Sequence, residues 1–141
     1  PFVAINPGLD SGYMIAHVTA TSLVSENKTL AHPASIDSLP TSGGQEDHVS
    51  MAPWAGNKLI DIQSNLCSIL AIELIVAGAA HSIASSKMKS GKGTIHLIDI
   101  LREHCKYEQG DRPLSSEINK IAHLITSGEI LNKVTQSIKV E

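Results

Sequence analysis

Apolar side chains recur at helical spacing through most of this chain and predict an all-α protein, with no strand pairs and no internal repeat. The first helix is predicted at roughly 11–28, and its apolar surface comes mostly from Met14, Ala20, Leu23 and Val24. Asp10 or Ser11 is expected to cap it, since a short side-chain oxygen accepts hydrogen bonds from the free amides of a first turn. His32-Pro33 stops this helix, because proline disfavours helical backbone at the residue before it.

The longest apolar pattern runs over roughly 48–87 and predicts a long central helix. Its most apolar part, 66–85, is about twenty residues long, which is also enough to span a bilayer. Glu73, His81 and many small side chains in this part favour a helix inside a bundle over a membrane span. The remaining sequence offers only two or three helices to surround it. Further helices are therefore expected from sequence outside this segment or from other subunits.

Shorter helices are predicted after residues 90–93, where Ser-Gly-Lys-Gly breaks the long pattern. Thr94 is expected to cap a helix that runs to about Cys105, and Ser115 or Ser116 is expected to cap the next one, which Gly128 closes. A last short helix is predicted at about 129–138. The inward faces of the first two are predicted to be Ile95, Ile98, Leu101 and Cys105, then Ile118, Ile121, Ala122 and Ile125.

Composition limits the class of protein. The 141 residues suit one domain, and with 42% apolar but only 3% aromatic residues the core must be mostly aliphatic. The net charge is −3 and no basic patch with interleaved aromatics occurs, so nucleic acid is not an expected partner. Cys67 and Cys105 lack metal-binding or redox spacing and are read as reduced thiols of a cytoplasmic protein. Because the chain begins Pro-Phe-Val, we expect residues 1–141 to be one partial domain of something longer.

Histidine is plentiful, yet no zinc or nucleophile site is predicted. None of the seven histidines occurs in an HExxH pattern. Glu103, His104 and Cys105 are adjacent on a predicted helix, point about 100° apart and cannot converge on one ion. A triad of Asp47, His48 and Ser50 is too close in sequence for separate nucleophile and base roles. No metal is therefore expected.

The best candidate for chemistry is the end of a long irregular stretch, 33–47, where Gln45-Glu46-Asp47-His48 follows two glycines. A loop of this length within a compact domain is usually functional or disordered, and its mixed composition favours function. Asp47 and His48 are interpreted as support for the start of the long helix, where a carboxylate favours the free amides. Glu46 then points elsewhere and is placed to meet a ligand.

Several segments, in this order and spacing, resemble the aromatic amino acid lyase family, and most closely its members that act on histidine. They are Asn6-Pro7-Gly8-Leu9-Asp10-Ser11-Gly12-Tyr13-Met14-Ile15, Ser25-Glu26-Asn27-Lys28, His32-Pro33-Ala34-Ser35, Asp37-Ser38-Leu39-Pro40-Thr41-Ser42 and Gln45-Glu46-Asp47-His48-Val49-Ser50-Met51. The similarity covers the whole chain and is most specific over 6–59, and it implies about the last quarter of such an enzyme. Gly43-Gly44, Trp54 and Asn57 depart from the usual pattern.

The resemblance implies a helical homotetramer whose active sites combine several subunits and whose electrophile, methylidene-imidazolone, forms from an Ala-Ser-Gly triplet. No such triplet occurs in these 141 residues, so the chain alone is expected to lack the electrophile and to be inactive without the missing N-terminal part. Gln45 and Glu46 match the family's substrate-binding pair, and Glu46 is the expected catalytic residue. Lyases acting on phenylalanine or tyrosine usually have Gln at that position. The implied reaction is elimination of ammonia from L-histidine to give urocanate. The alternative is a non-catalytic helical fragment that only assembles with other helices.

Overall fold

The computed structural model describes residues 3–84, 90–107 and 110–138. Across these ranges the chain forms five α-helices and two short 3₁₀ turns, at Ala34–Asp37 and Ser42–Gly44, and no strand. The helices are α1 (Met14–Leu30), α2 (Ala52–Ala84), α3 (Lys92–Arg102), α4 (Ser115–Thr126) and α5 (Glu129–Ser137). The predicted all-α class, with one long helix followed by shorter ones, is confirmed.

Helices α1 and α2 run antiparallel, and the irregular stretch between them lies at one end of the pair. Near that end, Asn27 donates from Nδ2 to the carbonyl of Ile62 at 3.4 Å and accepts from Asn65 Nδ2 at 3.0 Å. Lys58 Nζ donates to the carbonyl of His32, which ties the start of the irregular stretch to α2. At the other end, Tyr13 packs in the buried cluster with the second half of α2.

The core is aliphatic, as the composition predicts, with two tyrosines at its edge. The largest fully buried side chains are Ile75, Leu101, Ile121 and Leu124, from α2, α3 and α4. α4 packs on α2, and α5 packs on α3 and α4. On the predicted inner face of α3 and the turn after it, Ile98, Leu101 and Cys105 are buried, whereas Ile95, in the first turn of the helix, is exposed.

The predicted caps of α1 are wrong, because the groups concerned are used elsewhere. Asp10 Oδ2 accepts from the backbone N and the Nδ2 of Asn6, at 2.9 and 3.1 Å. The amides of Ser11 and Gly12 donate to Asp111 at 2.8 and 2.9 Å. α1 therefore begins at Met14 without a side-chain cap.

The other helix boundaries differ from the sequence prediction by a few residues. α2 begins at Ala52, four residues after the predicted start, and its predicted end at 87 lies outside the described residues. α3 begins after Gly91 rather than at a Thr94 cap and ends before Cys105. No side chain caps α4, where Leu114 precedes the first helical residue. Gly128, with φ 75°, separates α4 from α5 as predicted.

The connection before α4 is tied to α4 by a nearly buried ion pair and reaches Tyr13, just before α1, through the same arginine. Arg112 donates from Nε and from its second terminal nitrogen to the two carboxylate oxygens of Glu117, at 3.0 and 2.9 Å. The two side chains are only 13% and 11% exposed. Arg112 also lies 6.0 Å from the centre of the Tyr13 ring, and burial raises the pKa of that tyrosine. With the Asp111 contacts, this pair fixes the start of α1 against α4.

Among the residues that the structure describes, the buried side chains of α2 all lie in its second half. Its buried residues all lie between Ala71 and Ala79. In the first half, Leu59, Ile60 and Leu66 are 60%, 67% and 48% exposed. By length and composition alone α2 could cross a membrane, but its packing against α1, α3 and α4 is that of a bundle helix. The expectation that it is surrounded is met within this chain only for its second half.

Candidate functional site

The candidate residues lie in the 31–51 connection between α1 and α2, which is anchored along its length. The Ser38 hydroxyl accepts from the amide of Val49 at 2.8 Å, joining the two arms of the connection. Ala34, in the first 3₁₀ turn, is buried against α2. These contacts, together with Lys58 on His32, hold the connection at the start of α2.

Within this connection, residues 41–46 form a closed loop. The amide of Thr41 donates to the carbonyl of Glu46 at 2.8 Å, and the amide of Glu46 donates to the carbonyl of Thr41 at 3.3 Å. Ser42, Gly43 and Gly44 all have positive φ, at 55°, 66° and 88°. Two glycines suit such a turn because they lack the Cβ that disfavours left-handed backbone. The departure at 43–44 from the usual family pattern is thus compatible with a tight loop.

The Glu46 carboxylate is exposed and held on one side. Thr41 Oγ1 donates to Glu46 Oε2 at 3.0 Å. Across the described ranges, Thr41 is the side chain that donates to this carboxylate, which leaves Oε1 free for a ligand. Gln45, next to it, is also exposed and offers an amide that both donates and accepts. The loop can therefore present an anionic acceptor and an amide side by side.

Asp47 and His48 do not lie in the first turn of α2. Both are exposed in non-helical backbone, and α2 begins only at Ala52. The interpretation that they support the helix start is therefore wrong for this chain. Met51, with φ 53°, stands immediately before the helix and separates them from it.

The other groups singled out by sequence do not form a second site. Cys105 is buried, and burial raises the pKa of its thiol, which disfavours the reactive thiolate. Among the residues that the structure describes, no cluster of three or more histidine, cysteine or acidic side chains could hold a metal. An open apolar groove of about 470 Å³ lies between Tyr13 and Val76, at the end of the α1–α2 pair away from Glu46.

Sequence reasoning identified Gln45 and Glu46 but missed the contacts that shape their loop. Thr41 and Ser38 were part of the motif that carried the family resemblance, yet neither was assigned a role. The available signal was Thr41, five residues before Glu46. Its contact with the glutamate can be recognised only when the folded loop brings the two side chains together.

The sequence of this chain is similar to that of proteins in one known family. The sequence profile described as "Aromatic amino acid lyase" matches residues 1–103. The chain is 47% identical over 128 residues to a histidine ammonia-lyase of Rhodospirillum rubrum, covering 91% of this chain and 25% of that protein. It is 43% identical over 138 residues to a histidine ammonia-lyase of Natranaerobius thermophilus, covering 98% of this chain and 27% of that protein.

Solved structures share the helical arrangement. A histidine ammonia-lyase from Trypanosoma cruzi superposes with a TM-score of 0.86 at 36% identity, covering 99% of this chain and 27% of that one. A tyrosine aminomutase from Streptomyces globisporus superposes with a TM-score of 0.86 at 28% identity, covering 99% of this chain and 26% of that one. The chain therefore spans about a quarter of the length of the relatives that it matches, and it corresponds to their C-terminal portion.

Proposed function

This chain belongs to the aromatic amino acid lyase family, and we propose on that basis that it forms one wall of the active site of an enzyme that eliminates ammonia from L-histidine to give urocanate. The observation that carries the proposal is the exposed carboxylate of Glu46, presented beside Gln45 on a loop anchored to α2. The relatives described above as histidine ammonia-lyases support the choice of substrate.

Glu46 suits an imidazole substrate better than a benzyl one. A carboxylate accepts a hydrogen bond from an imidazole N–H and stabilises an imidazolium, whereas a phenyl ring offers it neither. Its free Oε1 is the atom that would make this contact, while Oε2 is held by Thr41. Gln45 would bind the same substrate through its amide. Glu46 would thus select histidine and serve as a catalytic residue through its contact with the imidazole.

The family's methylidene-imidazolone group would come from other sequence. When present, this group supplies an electrophile that activates the amine of the substrate for elimination. Gln45 and Glu46 are exposed, and this chain on its own does not enclose such a ring. The residues described here would therefore bind and orient the imidazole end of the substrate, and the isolated chain would be inactive.

The exposed first half of α2 supports an assembled enzyme. Apolar side chains such as Leu59 and Ile60 need cover, which the missing N-terminal part of the polypeptide and further subunits would provide. We propose a cytoplasmic homotetramer, with neither nucleic acid nor a membrane as a partner.

The test is the substitution Glu46→Gln in the full-length enzyme, with urocanate formation followed by its ultraviolet absorbance. The neutral amide keeps the shape of the side chain but loses the charge that strengthens the hydrogen bond. A hydrogen bond to a charged group contributes about 1.5–3 kcal/mol, and each 1.4 kcal/mol is about tenfold in rate, so histidine turnover should fall by well over tenfold.

Glu26→Gln is the matched control, because Glu26 is an exposed carboxylate on α1 that, among the described residues, accepts from the Asn65 amide at 3.2 Å. It should leave turnover unchanged. Full activity in Glu46→Gln would reject the role of Glu46.

The alternative is a helical fragment without catalytic function that only assembles with other helices. The exposed apolar side chains on the first half of α2 support this alternative, because such a surface would pack against other helices. The same assay separates the two. If the full-length enzyme forms no urocanate from histidine, the assembly role remains. If the 141-residue chain forms urocanate without any other polypeptide, the expectation that it is incomplete is wrong.

A further inference from the structure

The loop that presents Glu46 is organised by one residue, Thr41. Its backbone makes both of the main-chain hydrogen bonds that close the loop on Glu46, at 2.8 and 3.3 Å. Its carbonyl also accepts from the amide of Gly44 at 3.0 Å, so the same residue holds the turn inside the loop. The backbone hydrogen bonds alone therefore fix the positions of Thr41 and Glu46 relative to each other.

Because the backbone of the loop is fixed, the side chain of Thr41 can hold the carboxylate of Glu46. Branching at Cβ restricts the first side-chain torsion of threonine, so its hydroxyl has few positions open to it. In this structure the hydroxyl donates to Glu46 Oε2 at 3.0 Å. A glutamate on an exposed loop otherwise has three torsions free to rotate. The contact removes much of that freedom while occupying only one of the two oxygens.

We propose that Thr41 is a positioning residue for the histidine-deaminating reaction: it holds Glu46 Oε2, so that Oε1 is aimed at the imidazole N–H of the substrate. This inference rests on the proposed function of Glu46 and adds the residue that orients it. Thr41 itself does not touch the substrate. Its effect appears only through Glu46, because a carboxylate that is already ordered loses less conformational entropy when the imidazole binds.

The test compares Thr41→Val with Thr41→Ser in the full-length enzyme. Valine keeps the branched shape and the backbone amide but removes the hydroxyl, whereas serine keeps the hydroxyl. Ordering one free side chain accounts for roughly a threefold to tenfold change in affinity, so kcat/KM for histidine should fall by that factor in Thr41→Val. Thr41→Ser should restore most of it. The loss should divide between KM and kcat as it does in Glu46→Ala, because both changes act on the same contact.

Ligand binding provides a measurement that simple misfolding of the loop would not reproduce. Urocanate carries the imidazole, and cinnamate is its phenyl counterpart. Thr41→Val should weaken inhibition by urocanate and leave inhibition by cinnamate unchanged. In a Glu46→Ala background, adding Thr41→Val should cause no further loss of urocanate binding, since there is no carboxylate left to position.

A matched control is Thr19→Val, which removes an exposed hydroxyl that, within the described part of the chain, donates to the carbonyl of Ile15 on α1 at 2.9 Å. It should change neither kcat/KM nor urocanate binding. Equal losses in Thr41→Val and Thr41→Ser, or equal weakening of urocanate and cinnamate, would overturn the positioning role. So would a Thr41→Val enzyme with normal kcat/KM. If Glu46→Ala and Glu46→Gln are themselves fully active, the proposed function of Glu46 fails first, and that result is distinguishable from a failure confined to Thr41.

Discussion

At the scale of single residues, Gly78 shows how a neighbouring side chain decides what a helix position accepts. It lies in the buried half of α2, and the ring of Tyr107 packs directly against its backbone. A Cβ at this position would lie 2.7 Å from Tyr107 Cζ, closer than side-chain atoms pack. Burial also raises the pKa of Tyr107, which keeps the hydroxyl of this tyrosine neutral in the core. The glycine is required here by packing, since its backbone is helical.

We therefore expect Gly78→Ala to lower the free energy of unfolding by about 1–3 kcal/mol, because it overpacks the core. Gly56→Ala is the control, since Gly56 lies on the same helix with nothing within 4 Å of an added Cβ. It should raise stability by about 0.5–1 kcal/mol, the usual gain when alanine replaces glycine in a helix. Urea unfolding of the three chains measures both values. Equal effects of the two substitutions would show that Tyr107 does not restrict Gly78.

Residue-scale interpretation from sequence depended on a motif and did not extend to contacts that depend on the folded geometry. Gln45 and Glu46 were found because they match a family pattern. The contact of Thr41 with Glu46 was not predicted, because it depends on a loop in which Ser42, a residue other than glycine, adopts φ 55°. Backbone of that kind is uncommon for serine, and no propensity argument would have predicted it.

At the scale of elements, the periodicity of apolar residues predicted all five described helices, but the helix starts were less predictable. The cap expected from Asp10 or Ser11 is absent, and the amides of Ser11 and Gly12, just before α1, instead donate to Asp111, about a hundred residues away in sequence. Local sequence does not reveal a contact of that range. The start of α2 was placed too early for a similar reason: residues 48–51 are drawn into the loop by the bond from Val49 to Ser38.

The Asp111 contact leads to a prediction about pH. The backbone amide of Ser11, and after it that of Gly12, lower the pKa of the Asp111 carboxyl below its ordinary value of 3.8. A lowered pKa in the folded state means that the contact stabilises the fold fully above the ordinary value. That contribution is lost as the pH falls through the lowered pKa.

Asp111→Asn should therefore be less stable than the unmodified chain at neutral pH and should lose less stability on acidification. Unfolding midpoints measured from neutral pH to below 3.8 test this directly. Asp99→Asn is the control, because its partner Arg102 is exposed and surface pairs contribute little. Parallel pH curves for the unmodified and Asp111→Asn chains would contradict the prediction.

At the scale of the whole molecule, the described helices bury the second half of α2 but leave apolar side chains of its first half exposed. Its first half has no buried residue, although α1 lies against it. The sequence anticipated this shortage of covering helices, because the apolar run was too long for the few helices that follow. It could not say which half would be left uncovered, since that depends on where α3 and α4 pack.

We expect the 141-residue chain to associate in solution, and light scattering would measure this. Replacing Leu59, Ile60 and Leu66 together by Gln should shift it towards a monomer, because these side chains supply exposed apolar surface on α2. Leu131→Gln is the control, an equally exposed leucine, at 66%, on α5. A stable monomer before any substitution would contradict the expected assembly.

The contact of Asp111 with the start of α1 also has a consequence for the order of events during synthesis. A ribosome releases α1 and α2 well before residue 111, so these two helices can pair while the amides of Ser11 and Gly12 still lack their acceptor. The beginning of α1 is completed only when the connection before α4 has emerged. The segment before α1 is thus completed by a residue that is synthesised about a hundred positions later.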